Sequence, residues 1–365
     1  MQNLTSARRV TQHVRILKMK VIEYLTPEKG YTGYRMPAEW EPHECCWMGW
    51  PHDQTYWQST LIETQKCYSA VANAIARFEE VRMLVHPEHV TDAKNILGDA
   101  ITIIQMETDQ PWLRDTGPNF LLNQTGLLAG STWQFNGWGY EYRKFANDAL
   151  IGDRILKMQG ARNITSPIYA EGGSVTVDGE GTIITTEQCL LNKNRNSHFS
   201  RQEVEDELLR TLGCQKVIWL PGDSDDDETD GHIDGICAFV SPAHVVIVQA
   251  TDPSDPRRKI HDANIVALEG QIDAKGRPIK ITIIPEASDA ELLSEAYCTA
   301  YVNSYIANGA IVMPKYNLSS DQVAADIYAS LYPDRKIIQV NIDAIAIGGG
   351  GIHCITQQQP VSIKI

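Results

Sequence analysis

The stretch HIDGICAFV, residues 232–240, sets polar residues beside a glycine and runs at once into an apolar strand. The same arrangement returns as RDTGPNFLL from residue 114, EGGSVTVDG from 171, IANGAIVMP from 306 and GGGIHCITQ from 349. Intervals of about 43–74 residues suit one β-β-α-β unit each. Five such units arranged in a ring would bring the polar strand ends together at its centre. The pattern suits an α/β fold, and no long linker divides residues 31–365 into two domains.

Helix and strand signals alternate between these stretches. Residues 61–79 place Tyr68, Val71, Ala72, Ile75 and Phe78 on one face at helical spacing. Ser200-Arg201-Gln202-Glu203 reads as a capping box ahead of Val204, Leu208 and Leu212. Ser319-Ser320-Asp321-Gln322 predicts the same start before Val323, Ile327 and Leu331. Strand-like runs fall between the helices, among them RMLVHP (82–87), GTIITT (181–186), HVVIVQA (244–250) and KIIQV (336–340).

Composition narrows the function classes. The chain has 365 residues, 43% hydrophobic and 21% charged, enough for a large core. Its net charge of −14 carries no basic stripe of the kind a nucleic-acid binder needs. No apolar run is long enough to span a membrane. Eight scattered cysteines form no CxxC pair, which fits small core residues in a reducing compartment, and the expected location is the cytoplasm. The first 22 residues carry Arg8, Arg9, Arg15, Lys18 and Lys20 but no acid. That composition suits an organelle-targeting segment, but an unstructured extension over residues 1–30 or a start at Met19 is the favoured reading.

Four stretches could carry chemistry. In GGGGIHCIT, residues 348–356, four glycines make sense where backbone passes close to a ligand, and Cys354 follows as a candidate nucleophile. His353, its neighbour, should point to the other face of a strand and so serve poorly as its base. In TDGHID, residues 229–234, an extended chain would turn His232 and Asp234 to one side, an acid/base beside a cation-binding carboxylate. PWLRDTGP, residues 111–118, joins the aromatic Trp112 to Asp115, a natural cation-recognition pair. A surface turn built on Arg114 and Asp115 accounts for it as well. AEGGS, residues 170–174, offers Glu171 before two glycines. Together, a thiol, a histidine and several acids point to nucleophilic attack on a cationic carbon. Guanidinium fits, being permanently charged and matched in shape to paired carboxylates.

These residues sit in longer stretches that resemble the agmatine deiminases, in the bacterial-type peptidylarginine deiminase branch of the guanidino-group-modifying superfamily. The matching segments are GYRMPAEWEPHECCWMGWPH (33–52), PWLRDTGP (111–118), EGGSVTVDGEGTIITTEQCLLNKNRN (171–196), ETDGHID (228–234) and GGGGIHCITQQQP (348–360). The resemblance implies a five-bladed α/β propeller, the pentein fold, with no metal or organic cofactor. It implies Cys354 as the covalent nucleophile, His232 as general acid/base assisted by Glu171, and Asp115 with Asp234 as the guanidinium clamp. Glu228 is implied as the acid meeting the far amine of agmatine, and Trp112 as an aromatic wall. The glycines before Cys354, Gly351 among them, would let the backbone approach substrate. The implied reaction yields N-carbamoylputrescine and ammonia, a step toward putrescine, and the expected assembly is a homo-oligomer, as a dimer.

Two places depart from the family pattern. FNGWGYEYRKFANDA (135–149) is short and carries Tyr140, Tyr142, Arg143 and Lys144 where a Gly-rich insertion is usual. Gly351 stands where an asparagine often precedes Ile-His-Cys. Both bear on which guanidine is preferred, and arginine, peptidyl-arginine and other alkylguanidines are the alternatives. A different class is a non-catalytic calcium- or polyamine-binding protein. Its basis is DSDDDETDGHID, residues 223–234, where seven of twelve residues are carboxylates. Asp223, Asp225 and Asp227 mimic an EF-hand loop, but Glu228 replaces its glycine, Asp234 its final Glu, and the flanks read as strands.

Overall fold

Among the described residues, five small sheets carry the chain, and each repeats one plan. In this computed structural model the described residues are 33–222, 229–287, 290, 292–294 and 296–363. The basic N-terminal segment, Glu228 and the acidic run 223–227 lie outside them.

In four of the sheets a hairpin is followed by a helix that returns the chain to a third strand, parallel to the second. Thus Val175–Val177 pairs antiparallel with Thr182–Thr186, helix Arg201–Leu212 crosses over, and Lys216–Leu220 adds in parallel. Cys237–Ser241, His244–Gln249 and Lys280–Pro285 repeat this around helix Arg258–Leu268. Tyr305–Ala307, Ala310–Lys315 and Lys336–Asn341 do so around Ser319–Leu331. Asn119–Asn123, Leu128–Gln134 and Arg162–Tyr169 do so around Ile151–Met158, with Tyr34–Arg35 on the outer edge. Parallel neighbours need such a crossover, because a tight turn can join only antiparallel strands.

The fifth sheet is split between the two ends of the sequence. Thr356–Pro360 supplies its first strand, and His43–Gly49, Glu80–Val85 and Ile101–Gln105 supply the rest, around helix Leu61–Ile75. The seam is specified by side chains. Gln359 Oε1 accepts the indole N–H of the fully buried Trp47 at 2.9 Å, and Gln357 Nε2 donates to the Pro118 carbonyl at 2.7 Å. A buried N–H left without its acceptor costs about 1–3 kcal/mol, so the glutamines fix register as well as fill space.

Local signals account for most of the elements. Ser200 Oγ accepts from the Glu203 amide at 3.3 Å while Glu203 accepts from the Ser200 amide at 2.7 Å, and the helix stops at left-handed Gly213. Val204, Leu208 and Leu212 are its buried face. Tyr68, Val71, Ala72 and Ile75 are fully buried as expected, but the helix ends at Ile75 and Phe78 falls in the following turn. The second capping box is displaced by one residue. Ser319 is already helical, and the Asp321 carboxylate accepts the amides of Leu318 and Tyr316, each at 2.9 Å. Asp321 is turned inward by the Tyr301 hydroxyl, so the buried stripe is Asp321, Ala324, Ala325 and Tyr328. Val323, two positions from Asp321, is thereby rotated to the surface and is 52% exposed.

The eight cysteines are free thiols. No helix among the described residues is long and apolar enough to cross a membrane.

Candidate active site

The turn before each first strand holds a polar side chain, and these side chains meet. Asp115 lies in Leu113–Thr116, ahead of Asn119–Asn123. Glu171 precedes the turn Gly172–Ser174, ahead of Val175–Val177. His232 and Asp234 flank and enter the turn Ile233–Gly235, ahead of Cys237–Ser241. Asn303 precedes Tyr305–Ala307, and Cys354 precedes Thr356–Pro360. The segment carrying His232 and Asp234 is a short 3-10 turn rather than extended chain, yet both side chains reach the same place. Gly173 marks it. A Cβ there would lie 2.6 Å from His232 Nδ1, 2.9 Å from Asp115 Oδ1 and 3.0 Å from Asp234 Oδ2, so only glycine leaves room. Its own N–H donates to Asp115 Oδ1 at 2.9 Å.

Cys354 is held by Asn303. The Asn303 amide donates to Sγ at 3.1 Å, and its oxygen accepts the backbone N–H groups of His353 at 2.9 Å and Cys354 at 3.3 Å. On the other side Sγ is 3.5 Å from Asp234 Oδ2. Burial first, then the Asp234 and Asp115 charges, push the thiol well above its ordinary range. It is therefore protonated in the free protein. A cation lodged between the two carboxylates would reverse that electrostatic bias and release the thiolate.

Gly351 contributes by being small. A Cβ on it would meet Asn303 Oδ1 at 2.5 Å, while Gly348, Gly349 and Gly350 face the cavity beside Cys354. Gly351 thus adjoins the asparagine that holds Cys354, and is not one of the cavity-lining glycines. Gly351→Ala should displace Asn303 and lower kcat about ten-fold or more, equivalent to about 1.4 kcal/mol. Steady-state kinetics would show it, and unchanged kcat would separate Asn303 from catalysis.

His232 sits between carboxylates. Its Nε2 is 3.3 Å from Glu171 Oε2 and its Nδ1 is 3.8 Å from Asp115 Oδ1. Burial works against its charge, but Asp115, with contacts to Cys189 and Glu171, outweighs burial and holds the imidazole well above its ordinary range. Glu171 stays ionised because Arg195, wholly buried, donates Nε–H to its Oε1 at 2.8 Å and binds Asp230 Oδ2 at 2.9 Å. Burial raises the Glu171 carboxyl, but Arg195 and His232 together take it below the usual range. Glu171, Cys189 and His232 are spaced closely enough to hold a metal ion. Arg195 already supplies the positive charge there.

Asp115 is the softest of the acids. Burial, then the neighbouring Asp234 and Glu171, bring it up to about 6, although His232 and the Trp138 indole N–H at 2.9 Å oppose the rise. Asp234 goes the other way. Burial raises it, but His353, donating from Nδ1 at 2.8 Å, brings it below the usual range. His353 lies in the turn ahead of the final strand, not within a strand, and its ring faces Asp234 instead of Cys354. Its Nε2 reaches Glu39 Oε1 at 2.9 Å. Burial opposes the Glu39 charge, yet His353 and Arg114 bring it down to about 2. Arg114 is almost fully buried and donates to the His353 carbonyl at 3.3 Å and Gln358 at 2.9 Å, so it is no surface turn residue.

Above Cys354 opens a cavity of about 260 Å3. Asp115 and Cys354 line it, and Trp112 and Trp138 form aromatic walls. Trp138 takes a left-handed backbone, φ 54° and ψ 51°, an arrangement rare for a bulky residue, and its indole reaches Asp115. Glu141, Tyr142 and Thr229 also line it. The volume is a little under the range of about 300–1,000 Å3 common for drug-sized ligands, which suits a small, slender molecule.

Residues 35–360 match the family described as Porphyromonas-type peptidyl-arginine deiminase. The chain belongs to that family. It is 39% identical over 360 residues to agmatine deiminase of Stutzerimonas stutzeri, covering 92% of this chain and 98% of that one. Agmatine deiminase of Pseudomonas aeruginosa is 39% identical over 356 residues, with 91% and 97% covered. Agmatine deiminase of Enterococcus faecalis has a similar structure, with a TM-score of 0.86 at 31% identity and 90% and 96% of the two chains covered. The fold is accordingly the five-bladed α/β propeller of the penteins.

Against this family's motif set, the structure gathers Cys354, His232, Glu171, Asp115 and Asp234 into one cluster, with Trp112 on the cavity wall. Glu228 lies outside the described residues. Sequence reasoning did not single out Asn303, Arg195, Trp138 or Glu141. Asn303 had a usable signal, since it occupies the position before the fourth unit's first strand. Arg195 lies within a motif already quoted, whereas nothing in the sequence joins Trp138 to Asp115. The EF-hand-like spacing has no helical flanks. A strand, Lys216–Leu220, precedes it, and Asp234 belongs to the thiol cluster.

Proposed function

We propose that this chain is a cysteine-dependent agmatine deiminase. The observation that carries the reading is the placement of Cys354 Sγ against Asp234, with Asp115 and His232 converging on the same point at Gly173. The guanidinium lies between Asp115 and Asp234, and its charge lets Cys354 release its proton to solvent. The thiolate attacks the central carbon, forming a C–S bond. Protonated His232 gives its proton to a departing nitrogen, the C–N bond breaks, and ammonia leaves an S-alkylthiouronium on Cys354. Neutral His232, oriented by Glu171, then takes a proton from water as the water attacks the same carbon. The C–S bond breaks with sulfur leaving as thiolate, the remaining hydroxyl proton passes to that sulfur to restore the thiol, and N-carbamoylputrescine leaves. Trp112 stacks on the guanidinium plane, and Glu228 meets the far amine. No metal or organic cofactor enters these steps.

The choice of agmatine over arginine rests on charge. Among the described residues lining the cavity none is cationic, and Asp115 and Glu141 are acidic. A dication is favoured there, and the α-carboxylate of arginine would be repelled. Ammonia release from agmatine, arginine and a blocked arginine peptide tests this. Agmatine should show the largest kcat/KM, and a larger value on either arginine substrate would sink the assignment. The reading also includes a cytoplasmic homodimer acting in putrescine formation. Light scattering that gave a monomer at working concentration would remove the dimer.

Asp115 sets an acid limit. It must be ionised to grip the guanidinium, and it takes up a proton as pH falls through about 6. kcat/KM, which reports the free enzyme, should fall about ten-fold per unit below that point. Asp115→Asn should lose most activity at every pH and abolish that limb. A flat profile down to about pH 5 in the parent would show that Asp115 does not titrate there.

A further inference from the structure

Away from the catalytic thiol, three histidines meet where two paired strands end. His43–Gly49 and Glu80–Val85 run parallel with Gly49 opposite Leu84. His52 follows the first strand, and His86 and His89 follow the second. Their ring centres are 5.2 Å apart for His52–His86, 4.9 Å for His52–His89 and 5.8 Å for His86–His89. With metal–nitrogen bonds of about 2.0–2.1 Å and tetrahedral angles, three imidazoles on one ion have ring centres about 5 Å apart. Glu88 adds a carboxylate, and the ligand atoms of His86, Glu88 and His89 all lie within 4.8 Å of one another. Closing them to the roughly 3.3–3.5 Å of a bound set needs only side-chain rotation, because these side chains are exposed or half-buried.

The tautomers suit ligation. His52 Nε2 is 3.1 Å from the Thr108 carbonyl and so carries the proton, leaving a lone pair on Nδ1. Ligating histidines are commonly anchored in this way through the other ring nitrogen. His86 Nδ1 accepts the Glu88 amide at a long 3.4 Å, a contact an ion would replace.

We propose that His86, Glu88 and His89, completed by His52, bind one borderline transition-metal ion of the zinc class. This mixed nitrogen and oxygen set suits zinc or nickel better than calcium or magnesium. The site is separate from the deiminase chemistry but adjoins it. Asp53, next to His52, accepts the hydroxyl of cavity-lining Tyr142 at 2.7 Å.

The test titrates zinc into metal-free Cys354→Ser protein by calorimetry, which removes the reactive thiol as a competitor. One equivalent should bind, with affinity reduced at least ten-fold in His86→Ala/His89→Ala and in His52→Ala. The double variant should keep the parent's agmatine turnover in chelator when Cys354 is intact. Cobalt substitution of the Cys354→Ser protein reads the ligands without any histidine change, and its spectrum should lack thiolate charge transfer. Equal zinc affinity in the histidine variants, a thiolate band, or no binding by the Cys354→Ser protein would overturn the site. In any of those cases the histidines are a stack of neutral rings.

Discussion

Cys354→Ala should abolish ammonia release from agmatine, by at least about 10^4-fold in kcat, while the protein stays folded. The size of the loss follows from the geometry. Cys354 is the one thiol among the described residues lining the cavity, so no neighbour can replace it. The fold should survive because Asn303 still binds the two backbone N–H groups of the turn. Agmatine should still bind, with a Kd near the parent's KM, since clamp and walls are intact. Turnover within ten-fold of the parent would remove the covalent route.

Replacing His232 should be nearly as damaging. His232→Ala removes the proton donor for ammonia and the base for water, and general acid–base catalysis is worth about 10^2–10^4-fold. Its elevated pKa gives the sign of the pH effect. The imidazolium is present at neutral pH and is lost as pH rises through the folded value, so the parent should show an alkaline limb. That limb should vanish in His232→Ala, and primary amines of suitable size should restore part of the rate. Activity near the parent's with an unchanged alkaline limb would move the acid/base role elsewhere. Glu171 and Arg195 make the loss hard to repair, because they stay as a buried ion pair with nothing to orient.

Much of this architecture was readable from five glycine-linked strand starts. Such positions are conspicuous because a polar residue that must face a crowded centre needs a small neighbour, as Gly173 shows. The reading slipped where the repeat was anchored on the wrong strand. Aligning the fourth unit at Ile306 placed the Asn308-Gly309 hairpin turn where the central turn belongs, and Asn303 was passed over. The strand pair that closes the ring is not visible in the sequence either. A repeat gives no indication that a C-terminal strand will pair with residues 43–49. That depends on long-range partners such as Gln359 and Trp47.

Side-chain direction was harder to read than side-chain identity. Sequence spacing places His353 in a strand, whereas it sits in a turn whose geometry Asn303 fixes, and it turns toward Asp234. Val323 looked like core by spacing, until Asp321 was drawn inward by Tyr301. In both cases a buried polar contact outranked the local hydrophobic pattern, because an unsatisfied polar group costs more than one exposed methyl pair. DSDDDETDGHID divides accordingly. His232 and Asp234 belong to the cluster around Cys354 and Gly173, while residues 223–228 lie outside the described part of the chain.

The most direct test of the covalent mechanism is the intact mass of protein quenched in acid during agmatine turnover. The account predicts a species heavier than the free enzyme by agmatine minus ammonia, mapping by peptide analysis to Cys354 and absent from Cys354→Ala. Full turnover with only unmodified protein at every quench time, or an adduct on another residue, would contradict it.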